Sequence, residues 1–212
     1  MINNIVDDNF LLKNQYKQLH ENIILIENFV DDTTINKFFQ FINNATEEDW
    51  DIVYKKLLIK ECLENFNRDD YENCINEGLV DSKEYFKGKT LLIQNDQFIK
   101  FLCSKIQNIL KDQTLIADAF STIHRLKNGW NMDAHIDDGN SISNMIYSSV
   151  IYPNDNYIGG EINFVNLGIK IKPIAKSIIL FPSNLEHCVE PVIGNNIRYS
   201  CPGFIFKNSV RT

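Results

Sequence analysis

The pattern of apolar and polar positions divides the chain into a helical first part, about residues 1–112, and a strand-rich second part, about residues 115–206. Asp31 and Asp32 precede apolar residues at helical spacing, which predicts a helix with a capped first turn. The clearest helix should begin at Asn95 or Asp96, where one apolar stripe follows: Phe98, Phe101, Leu102, Ile106, Ile109 and Leu110. We expect this stripe to be buried against a sheet.

Other segments of the first part are less regular. Residues 23–26 form a continuous apolar run of strand length, and Thr46 with Asp49 predicts the start of another helix. Residues 1–21 are polar and predict a loose lead-in or a short helix. Residues 64–90 are polar and acidic, which favours either a solvated connection or a flap over an active site.

The second part consists of short apolar segments separated by turn residues. Many short strands at this spacing are typical of a sandwich or barrel. Because helices come first and strands follow, we predict one α+β domain over residues 1–212, a jelly roll with the helices packed on one sheet. The predicted strand segments are 115–126, 130–136, 144–152, 161–165, 169–171, 177–181, 188–192 and 197–206.

Composition and charge narrow the classes of function. The chain has 21 basic and 28 acidic residues, a net charge of -7 that disfavours nucleic acid as a partner. Its N-terminus lacks a signal-peptide pattern, and no apolar run approaches the ~20 residues that span a bilayer. The cysteines are odd in number and include no CxxC pair, which favours reduced thiols in the cytoplasm: Cys62, Cys74, Cys103, Cys188 and Cys201.

Residue types in the second part indicate a metal centre. In an extended strand, residues two positions apart face the same side, so His135 and Asp137 would converge on one point. With His187 they supply two imidazoles and one carboxylate, the ligand set of non-haem Fe(II) oxygenases, which leaves open positions on the ion. Arg198 follows eleven residues after His187, and its planar guanidinium suits a carboxylate. Ser200 lies two positions further on and could share that anion.

The order His-x-Asp, distant His, Arg-x-Ser resembles the Fe(II)/2-oxoglutarate-dependent dioxygenases. Intervening phrases resemble the prolyl 4-hydroxylase branch: VIYPND at 150–155, GGE at 159–161, FPS at 181–183 and HCVEPV at 187–192. The resemblance covers roughly residues 115–206 and extends weakly to the strand and helix at 22–44. It implies a double-stranded β-helix fold and the cofactors Fe(II), 2-oxoglutarate and dioxygen, with ascorbate as a stimulating reductant.

The resemblance also implies roles for individual residues. His135, Asp137 and His187 would be catalytic as the iron ligands. Arg198 would bind the far carboxylate of 2-oxoglutarate, helped by Ser200 and by Tyr152, since a tyrosine before this turn has that role in the family. A core tyrosine with a satisfied hydroxyl is the alternative for this position. The implied reaction is hydroxylation of a C–H bond, with a peptidyl proline in a peptide or protein as the implied substrate.

Several alternatives remain open. A free amino acid or another protein side chain could be the substrate, a zinc hydrolase could use the same three ligands, and a jelly-roll binding module would need no metal. Nucleic-acid repair demethylases carry a second arginine six residues after the first, where this chain has Phe204. Asp137 leaves no vacancy for a halide, which favours hydroxylation over halogenation. His124 is a structural or rim histidine, and Gly159-Gly160 predicts a turn with positive φ that catalysis does not require.

Overall fold

The computed structural model describes residues 6–7, 10, 15–50, 87–112, 114–118, 120–137 and 144–207. Helix α1 spans Asp32–Asn44 and helix α2 spans Asp96–Gln107. The strands among the described residues are β1 (Tyr16–His20), β2 (Ile23–Ile26), β3 (Lys89–Leu92), β4 (Leu115–Asp118), β5 (Thr122–Leu126), β6 (Met132–His135), β7 (Met145–Ile151), β8 (Ile158–Gly159), β9 (Ile162–Phe164), β10 (Ile169–Ile171), β11 (Ile178–Pro182), β12 (His187–Val189), β13 (Val192–Ile193) and β14 (Arg198–Lys207).

The strands form two facing sheets and a short ribbon. The larger sheet has the order β1-β2-β11-β7-β14-β5-β3, and β4 pairs with the second half of β14. The smaller sheet has the order β10-β9-β12-β6, and β13 pairs with β8. All of these strand pairs are antiparallel. This arrangement confirms the predicted double-stranded β-helix.

The larger sheet separates two apolar cores, because successive strand residues face opposite sides. In β2, Ile24 and Ile26 face the helices, whereas Ile23 and Leu25 face the smaller sheet. The core under the helices also contains Phe38 of α1 and, from α2, Phe98, Leu102 and Ile106. The core between the sheets is completed by Tyr152, Ile162, Phe164, Ile171, Ile179 and Phe181. The prediction that the helices pack on one sheet is confirmed.

Both predicted helix starts are confirmed by their caps. The Asp31 carboxylate accepts a hydrogen bond from the Thr34 backbone N–H at 2.8 Å, and the Asn95 side-chain oxygen accepts one from the Phe98 N–H at 2.9 Å. Each cap satisfies a backbone donor that the helix itself cannot pair. The prediction that Phe101 is buried with the rest of the apolar stripe is wrong, because its side chain is 43% exposed.

The sequence analysis missed two strands of the larger sheet. Residues 16–20 form β1 rather than a loose lead-in or helix, and Lys89–Leu92 form β3 beside β5. Both are edge strands. The sequence of β1 is mostly polar and shows no apolar run, whereas β3 ends in Leu91 and Leu92, a short apolar run that was not assigned to a strand. The segment predicted at 115–126 contains two strands, β4 and β5.

Several predictions fall on residues that the structure does not describe. These include most of the helix expected after Thr46, the flap over residues 64–86, and Asp138. Thr46 and Asp49 do form a local turn, in which the Asp49 carboxylate accepts hydrogen bonds from the Thr46 backbone N–H and hydroxyl at 2.7 and 2.8 Å. In the described part of the chain, no helix has the length and apolar character to cross a membrane. The assignment of residues 1–212 to one domain stays a prediction.

Strand β14 crosses the larger sheet at its centre. Its first residues pair with β5, and the residues after them pair with β7 on one side and β4 on the other. Gly203 lies against the ring of Phe120, where any Cβ would overlap the ring atoms. The Phe120 side chain is itself fully buried.

Candidate active site

Three elements bring the predicted metal ligands together. His135 is the last residue of β6 and His187 is the first of β12, and the two are direct partners in the smaller sheet. Asp137 follows just after β6, where its backbone N–H donates to the Ser183 carbonyl at 3.0 Å. Ser183 is anchored by its hydroxyl, which donates to the Met145 carbonyl at 3.0 Å. The loop before β12 therefore fixes the carboxylate relative to both histidines.

The geometry fits a single metal ion. Nε2 of His135 lies 3.5 Å from Oδ1 of Asp137, and Nε2 of His187 lies 3.8 Å from Oδ2. The two imidazole centroids are 4.3 Å apart, and the candidate ligand atoms all lie within 4.8 Å of one another. Adjacent ligands at about 2.1 Å from one ion would be about 3 Å apart, so small side-chain adjustments complete such a site.

Backbone carbonyls select the nitrogen that each histidine offers. Nδ1 of His135 lies 2.8 Å from the Asp133 carbonyl, and Nδ1 of His187 lies 2.9 Å from the Leu185 carbonyl. A carbonyl only accepts, so each Nδ1 carries the proton and donates it. In the neutral form of each ring, Nε2 is then left with its lone pair toward Asp137, the arrangement expected of metal-bound histidines.

The charges of the three groups are coupled. Burial would raise the pKa of Asp137, but the hydrogen bond from His135 and the charge of His187 bring this pKa below its ordinary value. Burial lowers the pKa of His187 more than Asp137 raises it. For His135 burial also lowers the pKa, yet contacts with Asp137 and the Asp133 carbonyl make the net shift upward. An ionised carboxylate and a neutral His187 are the forms that bind a metal.

Arg198 is buried beside these groups at the start of β14, with only 3% of its surface exposed. Its Nε donates to the Gly160 carbonyl at 3.0 Å, and Nη1 donates to the Ser200 hydroxyl at 2.9 Å. Its guanidinium carbon lies 5.3 Å from the centre of the Tyr152 ring. In the described residues no carboxylate forms an ion pair with Arg198. A buried cation without a counter-ion is costly, which indicates a site for an anion.

Two tyrosines adjoin this guanidinium. Tyr152, which the sequence indicated, is fully buried, and Tyr157, which it did not, is 3% exposed. Neither phenolic hydroxyl has a hydrogen-bond partner among the described residues. Burial raises the pKa of both tyrosines, and the charge of Arg198 opposes that shift. The one sequence signal for Tyr157 is its place two residues before the paired glycines.

His124 lies between the two groups of residues. It is the strand partner of Ser200, so it shares the inner face of the larger sheet with Arg198. Burial, with the nearby charge of Arg198, lowers its pKa to about 4, while Asp137 acts in the opposite direction. At pH 7 His124 is therefore a neutral imidazole, and its pKa is influenced by both the Arg198 guanidinium and the Asp137 carboxylate. The sequence had indicated only a structural or rim position.

The paired glycines form the expected turn. Gly159 and Gly160 have φ values of +72° and +67°, which confirms the predicted positive φ. Gly160 also has a role that the sequence did not indicate. A Cβ at this position would lie 2.7 Å from Cδ of Arg198 and 3.1 Å from Cε2 of Tyr157. The absence of a side chain therefore leaves the room that both neighbours occupy.

Arg125 lies on β5 but faces away from the site. It is the strand partner of Tyr199, on the outer face of the larger sheet. Its guanidinium donates two hydrogen bonds to Glu47 at 2.9 and 2.8 Å and lies 4.2 Å from the ring centre of Trp50. This buried arginine is neutralised within the chain, in contrast to Arg198.

The sequence profile of the 2OG-Fe(II) oxygenase superfamily matches residues 121–206, which include all of these candidate residues. This segment is a 2OG-Fe(II) oxygenase domain. The match supports a 2-oxoglutarate-dependent dioxygenase with Fe(II), 2-oxoglutarate and dioxygen as cofactors, and His135, Asp137 and His187 form its candidate iron site. A search of curated proteins found no match.

Solved structures of prolyl hydroxylases share the fold of this oxygenase. The viral collagen prolyl hydroxylase of Paramecium Bursaria Chlorella virus-1, in complex with 2OG, is 16% identical with a TM-score of 0.55, over 87% of this chain and 96% of that chain. A prolyl-4-hydroxylase of Pseudomonas putida is 15% identical with a TM-score of 0.58, over 88% and 92% of the two chains. The Trichoplax adhaerens prolyl hydroxylase, in complex with a hypoxia inducible factor peptide fragment, is 17% identical with a TM-score of 0.58, over 90% and 87%.

Proposed function

We propose that this oxygenase hydroxylates a prolyl residue in a peptide or protein, with His135, Asp137 and His187 as its iron ligands. The observation that carries the proposal is the convergence of two imidazole Nε2 atoms on one ionised carboxylate, with the ligand atoms within 4.8 Å of one another. The Nδ1 hydrogen bonds to backbone carbonyls support the same assignment, because they orient both rings for ligation.

Arg198, Tyr152 and Ser200 would bind the far carboxylate of 2-oxoglutarate. Support comes from the burial of an unneutralised guanidinium and from the hydrogen bond that already joins it to the Ser200 hydroxyl. Tyr152 adds a hydroxyl that has no hydrogen bond of ordinary geometry in the part of the chain that the structure describes and can donate to an incoming carboxylate oxygen. His124, the strand partner of Ser200, shares the inner face of the larger sheet with Arg198, and the charges of both Arg198 and Asp137 act on its pKa.

Bound iron supplies the oxidative decarboxylation of 2-oxoglutarate to succinate and carbon dioxide, with transfer of one oxygen atom to the substrate C–H bond. The protein would position the co-substrate, balance the charge of the ion and exclude water from the site. Asp137 offsets part of the ion's charge, and Arg198 would set the direction in which the keto acid lies. Phe181 packs against the His187 ring with centroids 4.8 Å apart, so one side of the site is apolar and excludes water.

The preference for a prolyl substrate rests on two likenesses. The phrases around the candidate residues resemble the prolyl 4-hydroxylase branch, and the fold is shared with prolyl hydroxylases, one of which was solved with a peptide fragment. The cytoplasmic location stays a prediction from the cysteine pattern. The three cysteines that the structure describes are free.

The test begins without oxygen. Fe(II) and 2-oxoglutarate added together should produce a visible metal-to-ligand charge-transfer band, and the Asp137→Asn variant should lack it. Oxygen is then admitted with proline-containing peptides, and mass spectrometry should find one added oxygen atom on proline together with succinate. Absence of the band would refute the ligand assignment. Oxygen addition to a free amino acid or to another side chain would leave the oxygenase chemistry intact but refute the prolyl substrate.

A further inference from the structure

The buried tyrosyl hydroxyls at Arg198 are an unusual feature of the site. Both Tyr152 and Tyr157 bury a hydroxyl that is close enough to the Arg198 guanidinium to be influenced by it but makes no hydrogen bond of ordinary geometry within the described residues. Buried polar groups are normally paired, so an unpaired one indicates either stored strain or a partner that binds later. Here two such groups adjoin the Arg198 cation, which forms no ion pair with any carboxylate in the described ranges, and this favours a shared partner.

Packing holds Tyr157 at this position. Its ring belongs to a small apolar cluster with Leu126, Val189 and Val192, which fixes its direction. The ring edge also lies against Gly160, whose carbonyl accepts the hydrogen bond from Nε of Arg198. Tyr157 and Arg198 thus meet at the same glycine.

The donors around Arg198 are suited to one carboxylate. Of the five guanidinium N–H groups, one is committed to the Gly160 carbonyl and one to the Ser200 hydroxyl, which leaves three. A carboxylate can accept about four hydrogen bonds over its two oxygens. These three N–H groups, the Ser200 hydroxyl and the Tyr152 hydroxyl are enough donors for one carboxylate, so the donor count does not by itself require Tyr157. The case for Tyr157 rests on its contact with Gly160 beside Arg198 and on its buried hydroxyl.

We propose that Tyr157 is a further ligand of the far carboxylate of 2-oxoglutarate and helps this oxygenase select a dicarboxylic keto acid. The inference rests on the proposed function, because it takes Arg198 as the cation for that carboxylate. The hydroxyl gains its hydrogen bond only when the co-substrate is bound. Because this hydroxyl is buried without a hydrogen bond of ordinary geometry among the described residues, we expect it to lower the stability of the free protein.

The experiment compares two keto acids with the same five-carbon chain. 2-Oxoglutarate has the far carboxylate and 2-oxopentanoate lacks it, and each is titrated anaerobically into the Fe(II)-loaded protein through the charge-transfer band. Tyr157→Phe should weaken 2-oxoglutarate about tenfold or more, the effect of losing one hydrogen bond to a charged group, and leave 2-oxopentanoate within about twofold. Tyr147→Phe is the matched control, because Tyr147 packs in the core under the helices, and it should change neither affinity.

A thermal melt of the metal-free protein separates binding from structure. Removal of an unpaired buried hydroxyl should leave the melting temperature of Tyr157→Phe equal to or above that of the unmodified protein. A lower melting temperature, or equal loss of affinity for both keto acids, would overturn the inference, because the hydroxyl would then be structural.

Arg198→Leu distinguishes this inference from the proposal on which it rests. This variant should weaken 2-oxoglutarate about thirtyfold or more. If it does so while Tyr157→Phe binds 2-oxoglutarate normally, the role of Tyr157 is refuted and the proposed function stands. If neither variant affects 2-oxoglutarate, the proposed carboxylate site itself fails.

Discussion

Replacement of Gly160 by alanine would perturb the candidate co-substrate site through the backbone. The residue has a φ of +67°, and its new Cβ would lie 2.7 Å from Cδ of Arg198, well inside an ordinary carbon–carbon contact. The left-handed backbone costs an alanine about 1–2 kcal/mol. The crowding adds about 1–3 kcal/mol, and loss of the Arg198 hydrogen bond to the Gly160 carbonyl adds about 1 kcal/mol. We therefore expect Gly160→Ala to lower the free energy of unfolding by about 3–6 kcal/mol.

Gly168 provides a matched control. It has a similar φ of +64°, but a Cβ there would meet no atom within 4 Å. Gly168→Ala should therefore lose only the backbone cost of about 1–2 kcal/mol. For a chain of this size each kcal/mol corresponds to a fall of about 2–4 °C in melting temperature, so thermal denaturation separates the two variants.

The same pair of variants should differ in co-substrate binding. Displacement of the Arg198 side chain by Gly160→Ala should weaken 2-oxoglutarate about tenfold or more in the anaerobic titration, whereas Gly168→Ala should bind normally. Equal melting temperatures and equal affinities for the two variants would refute the reasoning, because the crowding at Arg198 would then have no consequence.

Three further predictions concern the candidate metal site, the ion pair on the outer face of the larger sheet and the N-terminal cap of helix α2. Asp137→Asn should weaken Fe(II) binding about a hundredfold or more in a metal titration, since it removes the one anionic ligand; Asp133→Asn, which keeps the backbone carbonyl that orients His135, should bind normally. The hydrogen bonds from Arg125 lower the pKa of Glu47 from 4.5 to about 2, so its ion pair stabilises the fold above pH 4.5 and is lost as the pH falls toward 2. At pH 7 the melting temperature of the unmodified protein should therefore be higher than that of Glu47→Gln, and the difference should disappear as the pH falls toward 2. A difference that does not change with pH would show that the ion pair does not stabilise the fold. Asn95→Ala should cost about 1 kcal/mol of unfolding free energy through loss of the α2 cap, and unchanged chemical denaturation would show that the cap contributes nothing.

Much of the candidate site could be predicted because its chemistry is carried by residue type. Histidine, aspartate and arginine have few roles in apolar surroundings, so their order along the chain already indicated a metal centre and an anion site. Helix starts were equally legible, since a capping side chain and a 3.6-residue period are local properties. The partnership of His135 with His187 across two strands required the fold, because the strand register is not a local property.

The missed features depend on contacts that a sequence does not contain. Tyr157 differs from an ordinary core tyrosine in that its hydroxyl makes no hydrogen bond of ordinary geometry to any described residue, which is a property of its surroundings. Strand β1 lies at an edge and tolerates polar residues, so its sequence lacks the apolar run of a central strand. Strand β3 contains the short apolar pair Leu91-Leu92, and only its pairing with β5 identifies it as a strand. Phe101 lies at the margin of the α2 stripe, and the helical period alone could not show that the sheet stops short of it.

The contact between Gly203 and Phe120 limits how far β14 can shift along its neighbouring strands when its sequence changes. A one-residue insertion or deletion near the start of β14 could be absorbed by sliding the strand, but sliding would bring Pro202 or Phe204 over a ring that accommodates only a hydrogen atom. The strand is thereby held in a single alignment, and Arg198 rather than Tyr199 is presented to the interior. Gly203 lies five residues after Arg198. Its contact with Phe120 therefore keeps the Arg198 guanidinium in the interior after such an insertion or deletion.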